Sequence, residues 1–207
     1  MTRLYLIRHG QTEWNVEKKM QGKKNSNLTK LGIEQANKLS ERLSNENFDY
    51  IYSSPLKRAY DTAKIIRGQR NIEIIKDENL QEMGFGVWEG RPPEELKNTY
   101  PEQYKNFWEK PHLYEPIDGE NFKDFKDRVL KILFSIIQNH KDSQNHKDSQ
   151  ILIVSHTIVI LQIMSYFGNR ELKSMWEPPV IDPASLTIVE VNDGTHEIIL
   201  YGDIKHY

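Results

Sequence analysis

Two short apolar runs in this chain end on a histidine. Leu4-Tyr5-Leu6-Ile7 leads into Arg8-His9-Gly10, and Ile151-Leu152-Ile153-Val154 leads into Ser155-His156-Thr157. Runs of this kind form strands, and open α/β sheets place their chemistry beyond the carboxyl ends of their strands. Other polar motifs hold comparable places. Ser53-Ser54-Pro55-Leu56-Lys57-Arg58-Ala59 follows the strand-like Tyr50-Ile51-Tyr52, and Leu80-Gln81-Glu82-Met83-Gly84 comes later. An Arg-His-Gly by itself is weak evidence of anything; an ordered set of complementary polar groups at strand ends constrains the chain far more.

The segments between these ends alternate in period. After the first strand, Thr29 is placed to cap a helix whose apolar positions are Leu31, Ala36, Leu39 and Leu43, slightly weakened by Gly32. A strand is expected over Phe48–Ser53, a helix from Leu56 to about Arg67 with Ala59, Ala63 and Ile66 inward, and a strand over Ile72–Ile75. Gly84–Pro116, rich in Gly, Pro and aromatic residues, reads as short helices. Phe122, Phe125, Val129, Ile132, Leu133, Ile136 and Ile137 trace one face of a long helix. Ile158–Phe167 is apolar almost all round, as a buried helix would be. Leu186–Val191 and Glu197–Tyr201 are the last strands, joined through Asn192-Asp193-Gly194, a hairpin signal. The expected fold is a three-layer α/β/α sandwich with a mostly parallel sheet.

The 207 residues suffice for one buried α/β domain, and no long Pro/Gly/Ser linker divides them. The formal charge of −2 with intermixed signs gives no polybasic face for nucleic acid. With no cysteine, the chain has no disulfide, thiolate metal site or cysteine nucleophile. Met1-Thr2-Arg3 and the short apolar run after it are too brief for a signal-peptide core or a membrane span. A soluble cytoplasmic protein of undetermined oligomeric state is the expectation.

The opening Arg8-His9-Gly10-Gln11-Thr12 and the later Ser155-His156 resemble the histidine phosphatase superfamily, also called the phosphoglycerate mutase-like family. The resemblance continues through Glu13-Trp14-Asn15, Leu28-Thr29-Lys30-Leu31-Gly32 with Gln35-Ala36, Ser53 to Ala59, Trp88-Glu89-Gly90, Gly119-Glu120 and Ala184-Ser185-Leu186-Thr187, nearly the whole chain. It implies a phosphoglycerate mutase-like fold and phosphoryl transfer on a small phosphorylated metabolite. That chemistry needs a nucleophile, cationic donors for the equatorial oxygens and a proton donor for the leaving oxygen. His9 would attack phosphorus through one ring nitrogen while the other donates to a backbone carbonyl. Arg8, Arg58 and His156 would hold the phosphoryl group. Glu82 would act as general acid and then general base, its pKa raised by the bound dianion. Asn15, Gln21 and Thr157 are further candidate substrate-binding positions. Fixed cations would supply the charge stabilisation, so neither metal nor cofactor is expected.

Each residue also has a plainer reading: Arg58 as a helix-surface charge, His156 as a core histidine bonded to backbone, Glu82 as a carboxylate in an acidic stretch with Asp77 and Glu78. Departures from the family pattern are Thr157 where glycine is usual, Gln11 for glutamate and Asn25 for aspartate. Thr157 would narrow the site or cap the next helix. The segment Leu80–Gly90 is closer to the phosphatase branch than to mutases. Phosphomonoester hydrolysis is therefore the first expectation, cofactor-dependent phosphoglycerate mutase the alternative, and a non-catalytic phosphate-binding module the third. Residues 84–116 are expected to cover the site. A direct repeat remains: Asn139-His140-Lys141-Asp142-Ser143-Gln144 recurs unchanged as Asn145–Gln150. It is expected to be a polar loop remote from the site; His140 and His146 are weak evidence for a metal.

Overall fold

The computed structural model describes residues 1–141, 148–192 and 194–207. Its centre is a six-stranded sheet in the order β3-β2-β4-β1-β5-β6. The strands are β1 (Thr2–Arg8), β2 (Tyr50–Ser53), β3 (Ile74–Lys76), β4 (Ser149–Ser155), β5 (Leu186–Asn192) and β6 (Thr195–Asp203). The pairs β1–β4, β4–β2 and β2–β3 are parallel, while β5 runs antiparallel to β1 and β6 antiparallel to β5. Asp193, the middle of the expected hairpin turn, lies outside the described residues.

Side chains alternate across a strand, so one apolar run serves two cores. Leu4 and Leu6 join a buried cluster with the helices α6 (Phe122–Lys141) and α7 (Thr157–Phe167). Tyr5 and Ile7 face the other way, into a cluster with Leu39 of α2 (Lys30–Arg42) and Ala59, Ala63 and Ile66 of α3 (Lys57–Arg67). The three layers follow from this arrangement. Two short helices, α4 (Pro93–Thr99) and α5 (Pro101–Glu109), begin on the prolines that open them and carry the aromatic segment as expected. A single turn, α1 (Glu13–Val16), is closed by a capping box between Thr12 and Asn15.

Several expectations shift. Thr29 does cap α2, its hydroxyl accepting from Gly32 N, a bond worth about 1 kcal/mol. Leu31, however, is 47% exposed, and the buried face instead begins at Gly32. Gly32 is required rather than merely tolerated: a Cβ there would meet Gln11 O at 2.0 Å, and one on Gly10 would meet Gly32 O at 2.4 Å. The first turn of α2 thus packs directly on the backbone that follows β1. The third strand is shorter and later than Ile72–Ile75, because β2 offers it pairing only at Ile51–Ser53.

The duplicated segment is divided. Its first residues finish α6, where His140 is buried, stacks on Tyr50 at 3.6 Å and bonds the Tyr52 hydroxyl through Nε2 at 2.7 Å. Its last residues begin β4, where Ser149 is buried opposite Thr2. The expected polar loop therefore does not include its two ends, which the fold uses; the middle of the segment, 142–147, lies outside the described residues.

Candidate active site

Because β1, β4, β2 and β3 are parallel neighbours, the residues after them gather on one edge of the sheet. Arg8 pairs with Ser155 and Ser53 with Val154, which places His9, His156 and the Ser54–Arg58 turn side by side. The edge opens into a pocket of about 270 Å³ whose wall includes Arg8, His9, Asn15, Gln21, Arg58, Glu82 and Thr157.

His9, 3% exposed, is held by its neighbours' backbone: its own N–H donates to Ser155 O at 3.0 Å, and Nδ1 lies 2.8 Å from Gly10 O. A carbonyl oxygen only accepts, so the ring proton sits on Nδ1 and Nε2 keeps a lone pair. Arg58 Nε donates to that Nε2 at 3.3 Å. Burial, with the Arg58 and Arg8 guanidiniums, holds the imidazole well below the usual histidine range, so it is neutral at pH 7.

The arginines are anchored by carbonyls. Arg58 donates through its two terminal nitrogens to Lys24 O and Gly22 O, each at 2.7 Å. Burial brings its pKa down to about 10, which leaves it cationic. Arg8 donates to Ile181 O at 2.6 Å, and its Nε is buried without a partner among the described residues. Asn25, one of the departures, accepts from Lys57 N at 3.0 Å and thereby steadies the first turn of the helix that carries Arg58.

His156 is fully buried, 5.2 Å from His9 between ring centres, and is not on the pocket wall. Its Nε2 meets Ser54 Oγ at 2.8 Å, and Ser54 Oγ already accepts from Leu56 N. The hydroxyl's one hydrogen is thus free for His156 Nε2, an assignment made from the bonding network that puts the ring proton on Nδ1. Nδ1 is buried and has no partner among the described residues. Burial first, then the charges of Arg58 and Arg8, depress this histidine as well.

Glu82, 7% exposed, accepts from Met83 N at 3.0 Å and from Ile158 N at 3.3 Å. The second bond lets the carboxylate cap α7, whose N-cap residue His156 makes no side-chain capping bond. Thr157, expected as a possible cap, is instead the first residue of α7 and lines the pocket. Burial raises the Glu82 pKa despite the two N–H donors and the two arginines, so the rise does not wait for a bound dianion.

Asn15 and Gln21 line the pocket but are engaged elsewhere. Asn15 Oδ1 accepts from Thr12 N and Thr12 Oγ1, and Gln21 donates to Thr12 Oγ1 at 2.8 Å. Sequence reasoning missed the support for Glu82. Arg128 donates to Asn79 O, Gln81 O and Glu82 O while paired with Glu120, and Ser155 Oγ donates to Leu80 O at 2.7 Å. A charged residue on an otherwise apolar helix face was the only signal for Arg128. Beyond the polar floor, the wall is made by Met20, Phe85, Phe107, Trp108, Trp176 and Lys19. Lys19, Met20 and Trp176 were not foreseen.

This chain matches the histidine phosphatase superfamily (branch 1) over residues 4–204. It belongs to that family. It is 32% identical to phosphoserine phosphatase 1 of Hydrogenobacter thermophilus over 199 residues, covering 96% of this chain and 91% of that protein. It is 32% identical to the adenosylcobalamin/alpha-ribazole phosphatase of Escherichia coli over 193 residues, 92% of this chain and 90% of that one. Among solved structures, Bacillus stearothermophilus YhfR superposes with a TM-score of 0.93 at 40% identity, over 100% of this chain and 99% of that one. The activity class these relatives support is phosphoric monoester hydrolysis, and the mutase alternative has less support.

Proposed function

We propose that this histidine phosphatase hydrolyses a small phosphorylated metabolite through a covalent phosphohistidine on His9. The observation that carries the reading is the fixed tautomer of His9: Nδ1 tied to Gly10 O and Nε2 left with its lone pair on the wall of a pocket shared with Arg8, Arg58 and Glu82. Nε2 forms the N–P bond as the ester P–O bond breaks, and protonated Glu82 gives its proton to the leaving oxygen. Water then attacks phosphorus, Glu82 takes back a proton, and the N–P bond breaks to release inorganic phosphate. As phosphate arrives, Arg58 Nε passes from Nε2 to an equatorial oxygen while its terminal nitrogens stay on Lys24 O and Gly22 O, and Arg8 donates to another. His156 contributes its unpartnered Nδ1–H from behind His9.

Residues 84–116 supply Phe85, Phe107 and Trp108 to the wall, and we read them as the site's cover. The wall also carries Phe85, Phe107, Trp108 and Trp176, which suits a leaving group with an apolar or aromatic part. Asn15, Gln21 and Thr157 line the same pocket. No helix among the described residues is long and apolar enough to cross a membrane. With no cysteine in the chain, a reducing compartment such as the cytoplasm fits.

Quenching turnover of a ³²P-labelled phosphomonoester in alkali and mapping the labelled peptide tests this. The label is expected on His9, to be lost in His9→Ala, and to form equally after EDTA treatment. Label on another residue, or near wild-type turnover by His9→Ala, overturns the reading.

A further inference from the structure

A second cavity, of about 540 Å³, lies on the far side of the aromatic wall. Tyr114 and Phe122 face it, and both pack on Phe107 of the active-site pocket, at 5.1 and 5.5 Å between ring centres. Met175 lines this cavity while the next residue, Trp176, lines the first. The same helix, α7, gives Thr157 and Ile158 to one and Gln162 and Ser165 to the other. The two cavities are therefore separate chambers with a shared partition.

We propose that this second cavity binds a small organic anion with an aromatic body, independently of the reaction at His9. The ligand class follows from the lining. Lys123, Lys126 and Arg170 bring positive charge, opposed by the carboxylate of Glu115. Phe122, Leu172 and Met175 offer apolar surface for a flat or bulky body. Two polar side chains at least nine-tenths buried belong to the same lining, and among the described residues Tyr114 Oη and Gln162 Oε1 have no hydrogen-bond partner. Buried polar atoms of native proteins are rarely left so, and an unmet acceptor costs about 1–3 kcal/mol. A ligand with an N–H or O–H beside its apolar body would supply what Gln162 Oε1 lacks, while its anionic head met the cations. Arg170 has other engagements, with Pro178 O at 3.4 Å and the face of Tyr201. Lys126 and Lys123 are the freer pair, the latter 4.0 Å from Asp127 on an exposed turn.

The probe is 8-anilinonaphthalene-1-sulfonate, an aromatic anion with one N–H and no phosphate, titrated by fluorescence into the folded enzyme. Saturable binding of one equivalent is expected, unchanged by saturating orthovanadate. Lys123→Glu/Lys126→Glu, both on the surface of α6, should weaken it about tenfold or more while leaving hydrolysis of p-nitrophenyl phosphate intact. Gln162→Leu should weaken it through loss of the acceptor. Competition by vanadate, or an affinity that the double lysine variant does not move, overturns the proposal. Failure of vanadate to inhibit turnover would bear on the phosphatase mechanism and leave the effect of the lysine variants readable.

Discussion

On the floor of the active-site pocket, side chains are tied to backbone. His9 is bound to Gly10, Arg58 to Gly22 and Lys24, and Glu82 to Met83 and Ile158. On the cover, Phe107 instead touches the rings of Phe85, Trp88, Trp108, Tyr114, Phe122 and Trp176, and its carbonyl accepts from Trp176 Nε1. Hydrogen bonds are directional, so the floor fixes the orientation of reacting groups to within a narrow cone. Aromatic packing is broad in angle and tolerates repacking, so the cover sets shape without fixing atoms. Substitutions on the floor should appear in kcat, and substitutions on the cover in KM and in the choice of substrate.

The largest effect expected among the variants that probe this contrast is at Glu82. Glu82→Gln removes the transferable proton while keeping the side chain's size, and general acid–base catalysis contributes about 10²- to 10⁴-fold. Turnover of an alkyl phosphate should fall within that range. p-Nitrophenyl phosphate, whose leaving group needs almost no proton, should lose far less. Equal losses on both would assign Glu82 to capping α7 and leave the acid to be sought elsewhere.

On the cover, Trp108→Ala should change KM by about tenfold for an aromatic phosphate, as apolar pocket contacts typically do, with kcat nearly kept. Trp108 is partly exposed, so the fold should lose little stability. A fall in kcat comparable to that of a floor variant would show that the cover also holds reacting atoms, and the contrast between the two regions would fail.

The floor's rigidity also has a pH signature. Burial lowers the pKa of His156 and His9 in the folded state, so below about pH 6.5 the unfolded chain binds more protons than the folded one. Stability therefore declines as pH falls from about 6.5, by up to about 1.4 kcal/mol per pH unit for each such group. Glu82 acts oppositely: its raised pKa stabilises the folded state at low pH, and that contribution is lost as pH rises through its folded value. Denaturant unfolding of His156→Asn between pH 7 and 5 should show a shallower decline than wild type. An unchanged slope would mean that His156 is not held neutral in the fold.

The layers and the strand ends were legible because each depended on local pattern: apolar runs of four, helical spacing, a polar motif directly after a strand; Glu82, Asn15 and Gln21 were singled out only through the family resemblance. The less legible features all came from distant pairing. Leu31 turned outward because the α2 turn had to approach Gln11, which only Gly32 allows. Arg128 and Glu120 support Glu82 across the fold, and no spacing along the chain announces that. Trp176 reaches the pocket wall from a strap that carried no motif. His156 had the right place in the chain, but whether it stood on the wall or behind His9 depended on the sheet's register.

The smallest effect is expected at the repeat, which lies outside both regions. From the first copy the fold uses Asn139, His140 and Lys141 to end α6; from the second it uses Asp148, which pairs with the amino terminus, and Ser149 and Gln150 to begin β4. Joined, these residues spell one complete copy, Asn-His-Lys-Asp-Ser-Gln. Deleting 142–147 therefore leaves each of them in its present surroundings, and the resulting chain is identical to one lacking 145–150. The residues flanking the deletion lie near one another, Ser149 Oγ donating to His140 O at 3.1 Å. Shortening a connection changes closure entropy by about 0.6 kcal/mol per halving of length. About 1 kcal/mol corresponds to roughly 2–4 °C in Tm for a chain of this size. The deletion should thus leave kcat/KM unchanged and move Tm by no more than about that amount by calorimetry. A substantially larger fall would show that the second copy has become part of the structure rather than an addition to it.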